Sequence, residues 1–162
     1  MIEIDPTARI SRLADIEDST RGTRIVFGPR VTVDAFVKVK PAGGSGDLVI
    51  GADCTINSGC VFYTGHGIRF GEGVLVAANC TFAPTNHAVA RRDLPIRQQG
   101  FTPSRGGIVV GNDVWIGANC VILDGAVLED GCVVGAGSVV RGRLEAYKIY
   151  AGAPLKVIGE RR

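Results

Sequence analysis

The sequence predicts an all-β solenoid, a parallel β-helix of about six coils with one long projecting loop and a short C-terminal tail. Three observations predict it. From Val110 every sixth residue is a branched aliphatic: Val110, Ile116, Ile122, Leu128, Val134 and Val140. Four residues after each lies Val114, Cys120, Ala126, Cys132, Ser138 or Leu144, so a second and mostly small lane runs beside the first. A period of six is neither the 3.6 of a helix nor the 2 of an ordinary strand, and fixed short repeats signal stacked architectures. Glycine is the second observation. It supplies 23 of 162 residues, roughly twice ordinary usage, with no Gly-x-y period. Only glycine enters left-handed backbone conformations without steric cost, so the excess marks many turns.

The third observation is that the register carries backwards. The first lane falls at Ile4, Ile10 and Ile16, then Phe27, Val33 and Val39, then Ile50, Ile56 and Phe62, then Phe70, Val76 and Phe82. The sixes come in threes, separated by gaps of 11, 11, 8 and 28 residues. Groups of three mean three faces, so each set of about 18 residues is one turn of a triangular prism whose corners accept insertions. The first two coils are the least regular in their second lane.

All five cysteines, Cys54, Cys60, Cys80, Cys120 and Cys132, lie on the small second lane. That is the place of small buried hydrophobes. Their odd number and the absence of a Cys-x-x-Cys pair argue against a disulfide framework or a zinc ribbon. After Val140 the period breaks in RGRLEAYKIYAGAPLKVIGERR, which brings charge and Pro154. Residues 1–144 therefore read as the solenoid and 145–162 as a tail that caps or flanks the last coil, with room for a short helix after Pro154.

The gap from Phe82 to Val110 is too long for a corner. Its residues 83–109 must project as a loop, and they carry His87, one of only two histidines, with Asn86, Arg91, Arg92, Asp93, Arg97, Gln98, Gln99 and Arg105. Loops of this length in compact repeats are usually functional. A net charge of +2 is too small to suggest a nucleic-acid surface. The N-terminus lacks a basic segment followed by an apolar one, and no apolar run approaches 18 residues, so the expectation is a cytoplasmic protein without membrane insertion.

The repeats, the loop opening with TNH, the GNDVWIGANCVI and GAGSVV blocks and the terminal AGAPLKVI together resemble the hexapeptide-repeat acyltransferases. The nearest groups are the galactoside, maltose and xenobiotic O-acetyltransferases and the sugar O-acetyltransferases of surface-polysaccharide synthesis. The resemblance is strong over residues 50 to 160 and rests on the repeat alone before that. It implies a left-handed parallel β-helix, a homotrimer with active sites between subunits, and acetyl-CoA as co-substrate for a sugar or other small-molecule acceptor, with no metal. His87 matches the family's catalytic histidine, and imidazole suits a general base because its ordinary pKa lies near neutrality. Asn57 matches an asparagine that meets the acceptor from a neighbouring subunit, although an asparagine there also suits a solenoid turn. Where the family often carries acidic residues this chain reads YTGHG. His66 is thus either interior, on its second-lane position, or part of the acceptor site with Asn86. Trp115, Gly117 and Ala118 match the segment lining the coenzyme A cleft, Ala136 is the equivalent point one coil on, and Lys156 matches a basic position at the nucleotide phosphates, where Arg141 or Arg143 could assist.

Two other readings exist. A carbonic anhydrase of the γ class shares the fold but needs three histidines per zinc, and this chain has two. A non-catalytic scaffold would have no use for a polar 27-residue loop with a histidine at its root.

Overall fold

Each six-residue repeat forms a strand of two to four residues followed by a corner, and strands of successive coils stack in register. The computed structural model describes all 162 residues. Strands Ile2–Ile4, Ile25–Phe27, Leu48–Ile50, Ile68–Phe70, Ile108–Val110, Val127–Leu128 and Arg143–Leu144 form the first face. The second face holds Arg9–Ile10, Thr32–Val33, Thr55–Ile56, Leu75–Val76, Trp115–Ile116, Val133–Val134 and Lys148–Ala151. The third holds Asp15–Ile16, Lys38–Lys40, Val61–Tyr63, Thr81–Ala83, Val121–Leu123 and Val139–Val140. All these neighbours pair in parallel, and the coils wind as a left-handed β-helix.

The predicted first lane is the observed one from Ile4 to Val140, but Leu144 stands over Leu128 in the first-face column and not on the second lane. On the second face Ile10, Val33, Ile56, Val76, Ile116 and Val134 stand directly over one another. On the third, Ile16, Val39, Phe62, Phe82, Ile122 and Val140 do the same. Ile4 pairs with Phe27, which settles the first two coils. From the second coil upward these columns and the small second lane merge into a single core of 31 buried residues, with Ile10 and Ile16 packed partly buried against it and Ile4 exposed. All five cysteines are free and buried within it. Four of their thiols donate to a carbonyl of the next coil: Cys54 to Gly71, Cys60 to Ala77, Cys80 to Gly117 and Cys120 to Gly135, at 3.1 to 3.3 Å.

The corners explain the composition. The third residue after a lane aliphatic adopts a left-handed conformation at Asp53, Asn79, Asp113 and Asn119, and at Gly59, Gly73, Gly131 and Gly137. Asparagine, aspartate and glycine tolerate that region best. Gly117 is needed for a different reason. A Cβ there would lie 2.6 Å from the Ala136 backbone nitrogen on the coil above. Gly117→Ala is therefore expected to cost about 1–3 kcal/mol through overpacking, measured by chemical denaturation against the parent.

Two expectations change at the C-terminus. The stack does not stop at Leu144, because Lys148–Ala151 pairs in parallel with Val133–Val134 and makes a partial seventh coil. No helix follows Pro154. Lys156–Glu160 is a strand, antiparallel to Lys148–Ala151. The last coil leaves an open edge of backbone donors and acceptors, and a Lys-Val-Ile segment of high strand propensity covers it.

Candidate active site

Every insertion in the solenoid falls on one edge of the prism, between the third face and the first. Residues 17–24, 41–47, 64–67 and 84–107 all lie there, whereas the other two edges keep the six-residue step. A cleft of about 360 Å³ opens on this edge, lined by Ala42, Gly43, Tyr63, Ala83, Thr85, His87 and Phe101. Its floor is small because the insertions of adjacent coils touch. A Cβ on Gly43, which has φ of +81°, would meet the Thr85 hydroxyl at 2.8 Å. Its walls are aromatic, with Tyr63 and Phe101 both substantially exposed. The lining holds no carboxylate, ammonium or guanidinium. The nearest ammonium along the third face, on Lys40 beside Tyr63, is engaged by Glu17 at 2.7 Å, which raises its pKa.

The loop that carries His87 is held by its own polar groups. His87 and Phe101 form an antiparallel bridge, and their rings lie 4.7 Å apart. The Thr102 and Ala88 amides donate to Asn86 and Gly100 at 2.8 and 3.0 Å. At the tip, the Gln99 amide donates to the Arg91 and Leu94 carbonyls and accepts from the Arg91 amide, while Arg91 pairs with Asp93. A single 3-10 turn, Ile96–Gln98, completes the tip. His87 thus stands exposed at the mouth of the cleft, backed by an aromatic ring.

Two further hollows continue along the same edge. The first is lined by Asn86, Arg105, Leu123, Asp124 and Arg141. Arg141 is shared with the second, formed with Val139, Ala153, Pro154 and Leu155. Asp124 was not singled out from sequence. It is 4% exposed, and its carboxylate accepts from the Arg105 and Gly107 amides at 2.7 and 2.9 Å. An Asp-Gly pair after a lane aliphatic reads as an ordinary turn, so only the contact with a distant loop reveals it.

The other residues predicted from sequence fall into separate groups. Asn86 adjoins His87 but turns into the neighbouring hollow. His66 lines a different cavity, with Asp47, Gly67, Ile68, Arg69, Gly106, Ile108 and Val109, and its buried Nε2 has no hydrogen-bond partner. Asn57 lies on the edge between the second and third faces, where its side-chain amide donates to the Val76 carbonyl at 2.8 Å. Gly117, Ala118 and Ala136 share that edge two and three coils higher. The space that Gly117 leaves is taken by the Ala136 backbone, so it is not open to a ligand. Trp115 projects from the second face between Leu75 and Val133, half exposed. Lys156 is exposed on the terminal strand. Within one chain the third face separates His87 from Asn57, Ala118 and Ala136. No three histidine, cysteine, aspartate or glutamate side chains converge on a common point. No helix is long and apolar enough to cross a membrane.

A left-handed β-helix of six-residue repeats, presenting a histidine from a loop inserted at one edge, is the architecture of a hexapeptide-repeat protein. Comparison with known proteins identifies the repeats. Residues 107–142 match the bacterial transferase hexapeptide (six repeats), and residues 47–81 the hexapeptide repeat of succinyl-transferase. Both matched stretches are hexapeptide repeats of the kind found in bacterial transferases. It is 34% identical over 114 residues to the galactoside O-acetyltransferase of Escherichia coli, covering 70% of this chain and 54% of that one. The chain spans between about a third and two thirds of the length of the curated relatives it matches. Among solved structures, the hexapeptide-repeat-containing acetyltransferase of Vibrio cholerae complexed with acetyl coenzyme A superposes with a TM-score of 0.74 at 26% identity, covering 87% of this chain and 72% of that one. AntD, an N-acyltransferase from Bacillus cereus solved with dTDP and 3-hydroxybutyryl-CoA, shares the fold with a TM-score of 0.81 at 22% identity, over 99% of this chain and 83% of that one.

Proposed function

We propose that the chain is an acetyl-CoA-dependent acetyltransferase that acts on a sugar hydroxyl with His87 as general base. The observation that carries the reading is the placement of His87 at the mouth of an uncharged, aromatic-walled cleft on the one edge that takes every insertion. An imidazole nitrogen of His87 accepts the acceptor's hydroxyl proton as that oxygen forms its bond to the thioester carbonyl carbon. The carbon–sulfur bond then breaks, and the imidazolium returns its proton to the departing sulfur. The relatives support this class: the Escherichia coli protein is a galactoside O-acetyltransferase, and the Vibrio cholerae protein was solved with acetyl coenzyme A.

The donor groove in this reading is the line of hollows above His87, with Arg141 available to phosphate as a fork of donors. A second copy of the chain, in a homotrimer, would close it. That copy's corner would bring Asn57 toward the acceptor and Trp115, Ala118 and Ala136 toward the donor arm, with Lys156 at the nucleotide end. A pyranose ring offers an apolar face that suits Tyr63 and Phe101.

Free thiol release from acetyl-CoA, followed with a panel of sugars, nucleotide sugars and amino sugars, tests the reading. Release that depends on a hydroxyl acceptor supports it. Release with amino sugars alone would move the assignment to N-acylation, and none with any acceptor would sink it. Tyr63→Ala is expected to raise the acceptor KM by roughly 2- to 10-fold at unchanged kcat, the worth of one ring-stacking contact. Phe101→Ala should lower kcat as well, since Phe101 also backs His87.

A further inference from the structure

The geometry points to Asp124 as the positioning residue for His87, acting from the coil above through the returning limb of the loop. This inference rests on His87 being the base. Asp124 lies in the turn that follows Ile122, next to Gly125. Its two carboxylate oxygens are divided between two amides of the loop's descending limb, Oδ2 to Arg105 and Oδ1 to Gly107. The Gly125 amide donates back to the Gly107 carbonyl at 2.7 Å, so the turn and the limb are tied at three points. Gly125 has φ of +83°, and a Cβ on it would approach the Arg105 Cβ at 2.9 Å. Only a residue without a side chain lets the limb sit this close.

From that anchor the descending limb runs back to Thr102 and Phe101, which hold Asn86 and His87 through the amide of Thr102 and the paired rings. The chain of contacts is short: carboxylate, limb, Phe101, imidazole. Asp124 touches neither His87 nor the cleft lined by it. A buried carboxylate whose oxygens are both spent on backbone amides serves geometry rather than proton transfer. Both amides, if stripped of this partner, would have to find water, and the limb would lift from the turn. A shift of about an ångström in a catalytic group costs on the order of 10²-fold in rate.

The test uses the full chain and reads His87 directly. The sequence holds only two histidines, so imidazole proton resonances resolve into two sets, with His87→Ala assigning them. The Phe101 ring displaces the His87 resonances through its ring current. In Asp124→Ala the His87 set is expected to move toward the position of free histidine, and kcat at saturating acetyl-CoA is expected to fall at least tenfold. Should that variant fail to fold, Gly125→Ala, which forces Arg105 off the turn and keeps the carboxylate, takes its place with the same readings. His87 resonances that do not move overturn the inference. So does a displaced His87 set with kcat unchanged in an active enzyme. If the parent chain transfers to no acceptor, the proposed function fails, and the resonance shift still decides whether Asp124 sets the His87 pose.

Discussion

His87→Ala is expected to lower acetyl transfer by roughly 10²- to 10⁴-fold, the usual loss when a general base is removed. The side chain stands exposed at the mouth of its cleft, so removal leaves no cavity in the core and should leave coil stacking and donor affinity intact. Thiol release under saturating acetyl-CoA reads the chemical step, and calorimetric titration of acetyl-CoA reads donor binding. A large fall in the first with the second unchanged separates a lost base from a lost site. Turnover equal to that of the parent would remove His87 from the mechanism and turn attention to other groups along the same edge. Glutamine at 87 is the sharper companion, since it keeps polarity and bulk but accepts no proton at neutral pH. It should be as impaired as alanine.

Phe82→Ala carries the largest expected effect on stability. Phe82 is fully buried and stacks on Phe62 with ring centroids 4.5 Å apart and planes 3° from parallel, while Phe70 tilts against it at 5.4 Å. Truncation removes that partner and leaves a void that β-strands fixed on both sides cannot close, so the cost should be about 3–5 kcal/mol. In a chain of this size that lowers Tm by roughly 10 °C, measurable by calorimetry. Phe82→Leu should recover more than half of the loss. The ring lies one residue before Ala83, where the loop departs, so the alanine variant should also release the loop and lower activity at temperatures where the coils remain folded. An unchanged Tm would mean that the three rings do not act as the central wedge of the core.

The solenoid was legible because its period is carried by buried side chains that each coil repeats. A six-residue step with Ile, Val or Leu at one position and Cys, Ala or Ser four later has one three-sided solution, and even the irregular first coils follow it through Ile4, Ile10 and Ile16. The tail was less legible. Lys156 to Glu160 has no alternation, and its strand exists because the last coil exposes an edge, a tertiary cause that local pattern does not contain. In the site, the prominence of His87 came from a resemblance in the TNH segment and from loop length. The aromatic partner Phe101 lies 14 residues further on, and nothing in FTPS announces that it returns to the histidine. The structural reason for Gly117 was equally hidden, since its missing side chain makes room for the backbone of the next coil, a contact between coils that local pattern does not contain.

The ladder of buried thiols has a use unrelated to acyl transfer. Cys54 and Cys60 mark the third coil, Cys80 the fourth, Cys120 the fifth and Cys132 the sixth, each wholly enclosed. Burial also raises the pKa of Cys54 and of Cys132, the latter to about 11, which keeps these two as unreactive thiols while their coils are closed. A thiol reagent can therefore reach a given cysteine only after its own coil has opened. The order in which the five are labelled would chart the sequence in which the prism comes apart, an odometer of unravelling written into the chain without any added probe.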